Sequence, residues 1–325
     1  MKIVTVCGGG TGSFVVLSGL KSLPVDLGVV VTMMDSGGST GRLRDQLGVL
    51  PPGDLRQCLV ALSEAPTLWR ELFLYRFENG DLAGHNFGNI FLSALQKVSK
   101  NYEEVLETVE YVLKTKGDVV PVTFEKTHLG ARYESGKTII GETNIDENSQ
   151  DLTAISEAFL EPPVNPNPNA IARLQKSDYI IIGPGDLYTS IIPIFLTKRV
   201  REATMHSKAK IIFILNLMTK RGQTTSYKAS HHVRDLTKYT GREPDVVVVN
   251  NGEIPQNILE WYRSYHERLV ENDLLKRNFK GKIIEADLID RRKIMKSVAD
   301  KVTRSILRHD SFKLTEALSK LFEKI

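Results

Sequence analysis

Short apolar runs that stop on glycine, each followed by a helical pattern, constrain this chain more than any other feature. Ile3 to Val6 is β-rich and ends in glycines, and Ser13 to Ser22 follows with Phe14, Leu17 and Leu20 at helical spacing. Val29 to Met34 repeats the arrangement. Strands alternating with helices call for a parallel sheet covered on both faces, so the predicted class is α/β, Rossmann-like and mostly parallel. Tyr179 to Ile182, Lys210 to Leu215 and Val246 to Val249 extend the pattern as three more buried-strand candidates. Their downstream ends carry Gly183-Pro184-Gly185, Asn216 and Asn250-Asn251, and ligands of open α/β sheets bind at the carboxyl ends of the strands.

The 325 residues are expected to form one such domain, 1–325, with two additions. Across 54–114 the sequence turns helical: Asp54 stands where an N-cap belongs, with Leu55, Cys58, Leu59 and Leu62 behind it. Phe87 to Val98 and Tyr102 to Leu113 complete a layer of three predicted helices. Over 118–160 the period changes to two, which reads as a small β-rich insertion of antiparallel hairpins. Further on, helices are expected around Ile258 to Leu275 and Phe312 to Phe322, and the charge-rich stretch 291–296 reads as a solvated face.

Composition limits the partners. Lys and Arg number 43 against 39 Asp and Glu, and a formal charge of +4 is too small to argue for nucleic acid or a membrane surface. Only Cys7 and Cys58 are present, too far apart in sequence for a CxxC pair, so neither a disulfide framework nor a zinc site is indicated. No apolar stretch approaches the roughly 18 residues of a membrane span, and a reducing cytoplasm is the expected location. His231 and His232 are adjacent, so on a helix they point about 100° apart and make a poor metal pair.

Several loops could carry chemistry. Gly8-Gly9-Gly10-Thr11-Gly12 lies between a strand and a helix, where backbone amides and the helix dipole favour a phosphate. The dinucleotide fingerprint is missed, because its final glycine would fall on Ser13. Asp35-Ser36-Gly37-Gly38-Ser39-Thr40-Gly41, with Arg42 and Arg44 behind it, offers a second glycine-rich loop and a carboxylate suited to a ribose or a metal. Asp54 and Arg56 in Pro51-Pro52-Gly53-Asp54-Leu55-Arg56 read equally as a helix cap with its partner or as site residues. His85, Asn86 and Asn89 open an amphipathic helix; His85 suits acid/base work or phosphate donation, and equally a structural role. Gly183 and Gly185, then Asn216 and Thr219, add amides and hydroxyls at the ligand edge of the sheet. Asp35, Asp54 and His85 are the candidates for catalysis, and Asp35 is the metal candidate.

Taken in order, these motifs and Leu307-Arg308-His309-Asp310 resemble the 2-phospho-L-lactate transferase superfamily, and within it the bacterial gluconeogenesis-factor branch, over roughly residues 2 to 322. The resemblance implies a Rossmann-like fold with a nucleotide-type ligand at the glycine loops. For the branch it implies a UDP-sugar binder, most specifically of UDP-N-acetylglucosamine, that supports cell-wall synthesis and cell shape on gluconeogenic carbon sources and needs no cofactor. The alternative is a transferase using a nucleotide-diphosphate-activated donor with Mg2+. A homo-oligomer and an unidentified regulatory protein partner are further expectations.

By the same resemblance the ligand site comprises Gly9, Gly10, Thr11, Gly12, Asp35, Gly37, Gly38, Ser39, Arg56, His85, Asn86, Asn89, Gly183, Gly185, Asn216, Thr219, Tyr262 and Arg308. Tyr265, one helical turn from Tyr262, is the competing match, and Ser311 falls where some relatives carry a phosphorylatable Thr. The branch often has a second aspartate where Ser36 stands, which halves a carboxylate pair for magnesium. Arg42, Arg44, Arg56 and Arg308 are predicted to converge on one anionic ligand.

Overall fold

The structure is a computed structural model that describes residues 1–292 and 306–322. Its centre is a seven-stranded, wholly parallel sheet: β1 (Ile3–Gly8), β2 (Asp26–Val31), β3 (Asp118–Pro121), β7 (Tyr179–Ile182), β8 (Lys210–Ile214), β9 (Val246–Asn250) and β10 (Lys282–Ala286). The strand order is β10-β9-β8-β7-β1-β2-β3. The chain thus winds outward from β1 in one direction, then restarts on the other side of β1 at β7. That reversal is a topological switch point, where the loops leaving β1 and β7 diverge and open a crevice.

The inner strands are buried along almost their whole length, as apolar runs covered on both faces must be. Helix α1 (Gly10–Leu20) packs on α3 (Gly53–Leu62), and both contact the sheet near β2. The helix Pro168–Lys176 packs on β1, β2 and β3. No described helix is long and apolar enough to cross a membrane.

Several local expectations change. Residues 38–41, read as part of a glycine-rich loop, open helix α2 (Gly38–Leu47). Gly41 permits this: a Cβ there would lie 2.0 Å from the Ser36 carbonyl oxygen. The helical layer holds α4 (Thr67–Leu74), α5 (Phe87–Val98) and α6 (Tyr102–Leu113) besides α3, four helices where three were expected. Asp54 does not cap α3; the cap position is Pro52, and Asp54 sits in the first turn. Asp118–Pro121 is the edge strand of the main sheet, so the inserted sheet comprises β4 (His128–Tyr133), β5 (Thr138–Ile140) and β6 (Ile155–Glu161), antiparallel in the order β5-β4-β6. It carries the one-turn helix α7 (Glu142–Asp146).

β2 runs from Asp26 to Val31, three residues upstream of the expected Val29 to Met34. Near the C-terminus the helix Gln256–Ser264 stops eleven residues before the expected end at Leu275, and β10 follows. Of the stretch 291–296, Arg291 and Arg292 are exposed and paired with Asp287 and Asp290, while 293–296 lie outside the described residues.

Candidate functional site

The crevice at the switch point is a cleft of about 540 Å³, within the range of roughly 300–1,000 Å³ typical of small-molecule sites. One wall is the β1–α1 loop, Gly9 to Gly12, whose amides stand at the positive end of α1. Facing it is the loop after β7, Pro184 to Asp186. The two approach so closely that a Cβ on Gly12 would lie 1.8 Å from the Pro184 carbonyl oxygen. Only glycine fits at that crossing. Asn216, at the end of β8, accepts a hydrogen bond from the Gly185 amide at 3.1 Å and fixes the second loop. Thr219 is buried beside it, its hydroxyl accepting from the Arg268 amide at 2.9 Å.

An aromatic wall closes another side. Tyr262 is buried and its phenol oxygen accepts a hydrogen bond from the Leu307 amide at 3.1 Å, so this ring anchors the segment that presents Arg308 to the cleft. Tyr265 also lines the cleft but is 44% exposed, with its ring 4.6 Å from that of Trp261. Tyr262 therefore supports the wall, and Tyr265 offers an open face.

Nine of the expected ligand residues line this cleft: Gly9, Gly10, Thr11, Gly12, Gly185, Asn216, Thr219, Tyr262 and Arg308. Gly183 stands just behind, in a left-handed conformation (φ 76°) that aims the loop. Asp54 lies against the glycine loop and Asp35 against Gly53 at the start of α3: a Cβ on Gly9 would lie 2.1 Å from an Asp54 carboxylate oxygen, and one on Gly53 2.3 Å from an Asp35 oxygen. Asp35 also accepts from the Gly37 amide at 2.9 Å.

The remaining candidates form a separate polar cluster at the starts of α2 and α5. Gly38 opens α2, and Ser39, Arg56, His85, Asn86 and Asn89 are all buried behind it. Asn86 caps α5, accepting from the Asn89 amide, while its own amide group donates to the Leu74 and Tyr75 carbonyls. Arg56 donates to Asn89 Oδ1 at 2.8 Å and to the Phe73 carbonyl at 3.2 Å. The predicted convergence of arginines is thereby corrected. Arg42 donates to the Ala83 carbonyl and Arg44 to Asp45, and of the four only Arg308 lines the cleft.

The cleft also uses residues that sequence reasoning passed over. Asp146 to Ser149, at the end of α7, reach across from the inserted sheet. Lys220 pairs with Asp146 at 3.1 Å and Asp186 at 3.8 Å. Burial works against its charge, but Asp186 and Asp146 outweigh that and hold the ammonium well above its ordinary range. Glu142, behind them, is pushed well up by burial, then by Asp35 and Asp146, and its carboxyl accepts from the Ser36 amide at 3.2 Å. No sequence spacing announces such pairs, since Lys220 and Asp146 meet only through tertiary packing.

Other expectations resolve as follows. His231 accepts from the Lys228 amide through Nδ1 at 3.0 Å, within a capping box, and His232 is buried against the Lys228 carbonyl. Ser311 starts the helix Ser311–Phe322 and donates to the Val15 carbonyl at 2.8 Å, so a phosphate there would have to release that contact with α1.

Known proteins resemble this chain over nearly its whole length. A family model described as 2-phospho-L-lactate transferase CofD matches residues 4–289. A relative from Thermotoga maritima is 38% identical over 322 residues, covering 99% of both chains. A Bacillus subtilis protein named "Gluconeogenesis factor" is 36% identical over 324 residues, covering 99% of this chain and 98% of its own. A crystal structure of a UPF0052 family member from Bacillus halodurans matches with a TM-score of 0.89 at 34% identity, over 98% of this chain and 99% of that one.

Proposed function

The chain belongs to the 2-phospho-L-lactate transferase CofD family, and on that premise we propose that it is a UDP-sugar-binding regulator of the gluconeogenesis-factor kind. The ligand of this reading is UDP-N-acetylglucosamine, bound in the cytoplasm, and the role is to couple carbon supply to cell-wall synthesis and cell shape. The observation that carries it is the cleft: helix-terminal glycine amides for a diphosphate line it together with Arg308 and an open aromatic face for a ring.

Titration calorimetry with UDP-N-acetylglucosamine tests the reading. Saturable heat is expected, and no heat at millimolar ligand would remove it. Ligand at 100 times its Kd should also stabilise the fold by about 2.7 kcal/mol.

A second reading, a transferase, is favoured by Asp54 against the glycine loop and Asp35 beside Gly53. Magnesium is commonly held by one or two carboxylates with substrate phosphates and water, and these two residues would supply them. The ion would neutralise charge on a departing diphosphate. Release of nucleotide from GDP- or UDP-linked donors is its test.

A further inference from the structure

His309 is only 5% exposed, yet it is one of the residues that line the cleft. Its segment lies alongside the chain after β10: the Asp290 amide donates to the Arg308 carbonyl at 2.9 Å and the Asp310 amide to the Leu288 carbonyl at 2.7 Å. Ile289 and His309 thereby face one another. From this ladder the imidazole reaches the Leu215 backbone just past the end of β8, next to Asn216 of the cleft lining. The ring lies at the ligand edge of the sheet.

Its two nitrogens are not equivalent. The Leu215 contact favours the protonated ring, so its partner there is an acceptor, the Leu215 carbonyl, and the nitrogen on it carries a proton. The Leu215 amide is otherwise engaged, donating to the Val248 carbonyl at 3.0 Å. Nε2 is fully buried and, among the described residues, has no hydrogen-bond partner. Nδ1 is therefore the nitrogen on Leu215, and Nε2 keeps a bare lone pair. Burial holds the ring down to about 4, so it stays neutral near pH 7. An acceptor buried without a partner is costly, and in a cleft wall the missing partner points to a ligand.

Chemistry says which part of a ligand fits. The glycine-loop amides and the Arg308 guanidinium can only donate, which suits phosphoryl oxygens. A bare lone pair is the opposite case: it repels such oxygens and needs an N–H or O–H.

We propose that His309 is a ligand-binding residue whose Nε2 accepts a hydrogen bond from an N–H or O–H on the nucleoside or sugar of the ligand, so that phosphoryl groups alone do not engage it. The proposal rests on the nucleotide-sugar reading and adds to it a group that reads the uncharged part of the molecule. Because Nε2 is shielded in the free cleft, the lining above it has to give way, which a ligand already held by the glycine loop and Arg308 can drive.

The test is long-range proton–nitrogen spectroscopy of the full chain labelled at histidine, at pH 8, where phosphoryl groups carry no proton. His309→Gln assigns the signal; should it not fold, replacing the other six histidines singly assigns it by elimination. The free chain is expected to show Nδ1 protonated and Nε2 bare. UDP-N-acetylglucosamine moves the Nε2 signal saturably toward that of a hydrogen-bonded nitrogen, and sulfate, a tetrahedral anion without a proton, leaves it in place. In calorimetry His309→Phe weakens UDP-N-acetylglucosamine about 5- to 100-fold, and His309→Gln, which keeps an acceptor, restores part of the loss.

UDP distinguishes the sources of the donor. A shift with UDP places it on the nucleoside, and a shift with the whole nucleotide sugar alone places it on the sugar; the acceptor role stands in both cases. An Nε2–H tautomer, an Nε2 signal indifferent to UDP-N-acetylglucosamine, a shift with sulfate, or full affinity in His309→Phe overturns it. No heat from the unaltered chain removes the parent reading and this proposal with it, whereas heat without a response at Nε2 removes this proposal alone.

Discussion

Replacing Gly12 with alanine tests whether the crossing of two loops builds the cleft. The added Cβ would lie 1.8 Å from the Pro184 carbonyl oxygen, where ordinary contact begins at 3.4 Å, so the loops must part by about 1.6 Å. Two effects on stability oppose one another. Alanine in place of glycine within α1 favours the helix by about 1 kcal/mol, and the forced backbone shift costs about 1–3 kcal/mol. The net loss is about 0–2 kcal/mol, a fall of no more than about 5 °C in Tm for a chain of this size. Binding should suffer more. Displaced amides of the glycine loop forfeit at least one charge-assisted hydrogen bond, which weakens UDP-N-acetylglucosamine about 10- to 100-fold. Gly37→Ala is the control, since its nearest neighbours lie 3.5 Å away. Calorimetry and thermal unfolding read both quantities. If Gly12→Ala binds as the unaltered chain does, the loop crossing does not shape the site.

Lys220→Met should destabilise the fold by about 1–3 kcal/mol at pH 7, because Asp146 and Asp186 are left facing one another. Asp186 is already raised by burial, so its folded-state value lies above the unfolded one, and the loss should shrink as pH falls toward 4 in urea titrations. His309 is buried and held down to about 4 from an ordinary 6.5. Its contribution is complete above pH 6.5 and is lost as pH falls from there to about 4, worth about 3 kcal/mol, so His309→Phe should flatten the acid limb of the stability curve. Tyr262→Phe removes the acceptor of the Leu307 amide and should cost about 1–3 kcal/mol in urea unfolding, whereas Tyr265→Ala should weaken ligand binding with little change in stability.

The sheet and the glycine loop after β1 were legible because they are local. β1, β2, β7, β8 and β9 are apolar runs whose burial on both faces leaves an uninterrupted signature, and each ends at the ligand edge. β10 escaped notice because Lys282-Ile-Ile-Glu-Ala286 is a half-exposed edge strand with charges among its apolar residues. α2 was hidden by its glycines, which serve close packing against Ser36 rather than a loop. Arg56 shows the limit most clearly. Its residue type and its place after Pro-Pro-Gly-Asp suit an anion, but Asn89 and the Phe73 carbonyl, distant in sequence, take its donors. Asp146 carries no motif at all, and nothing local pairs it with Lys220.

The inserted three-stranded sheet sends Asp146 to Ser149 into a cleft whose other walls come from the loops of the central sheet, the aromatic helix and the segment carrying Arg308. The insert is rooted in the main core through Leu129, Ala131, Ile145 and Leu160, so the rim it supplies is held as firmly as the sheet beside it. Only its exposed residues, Glu147 and Ser149, can change without touching that core. Exchanging those two between relatives should shift ligand preference while the β1–α1 loop stays common to all.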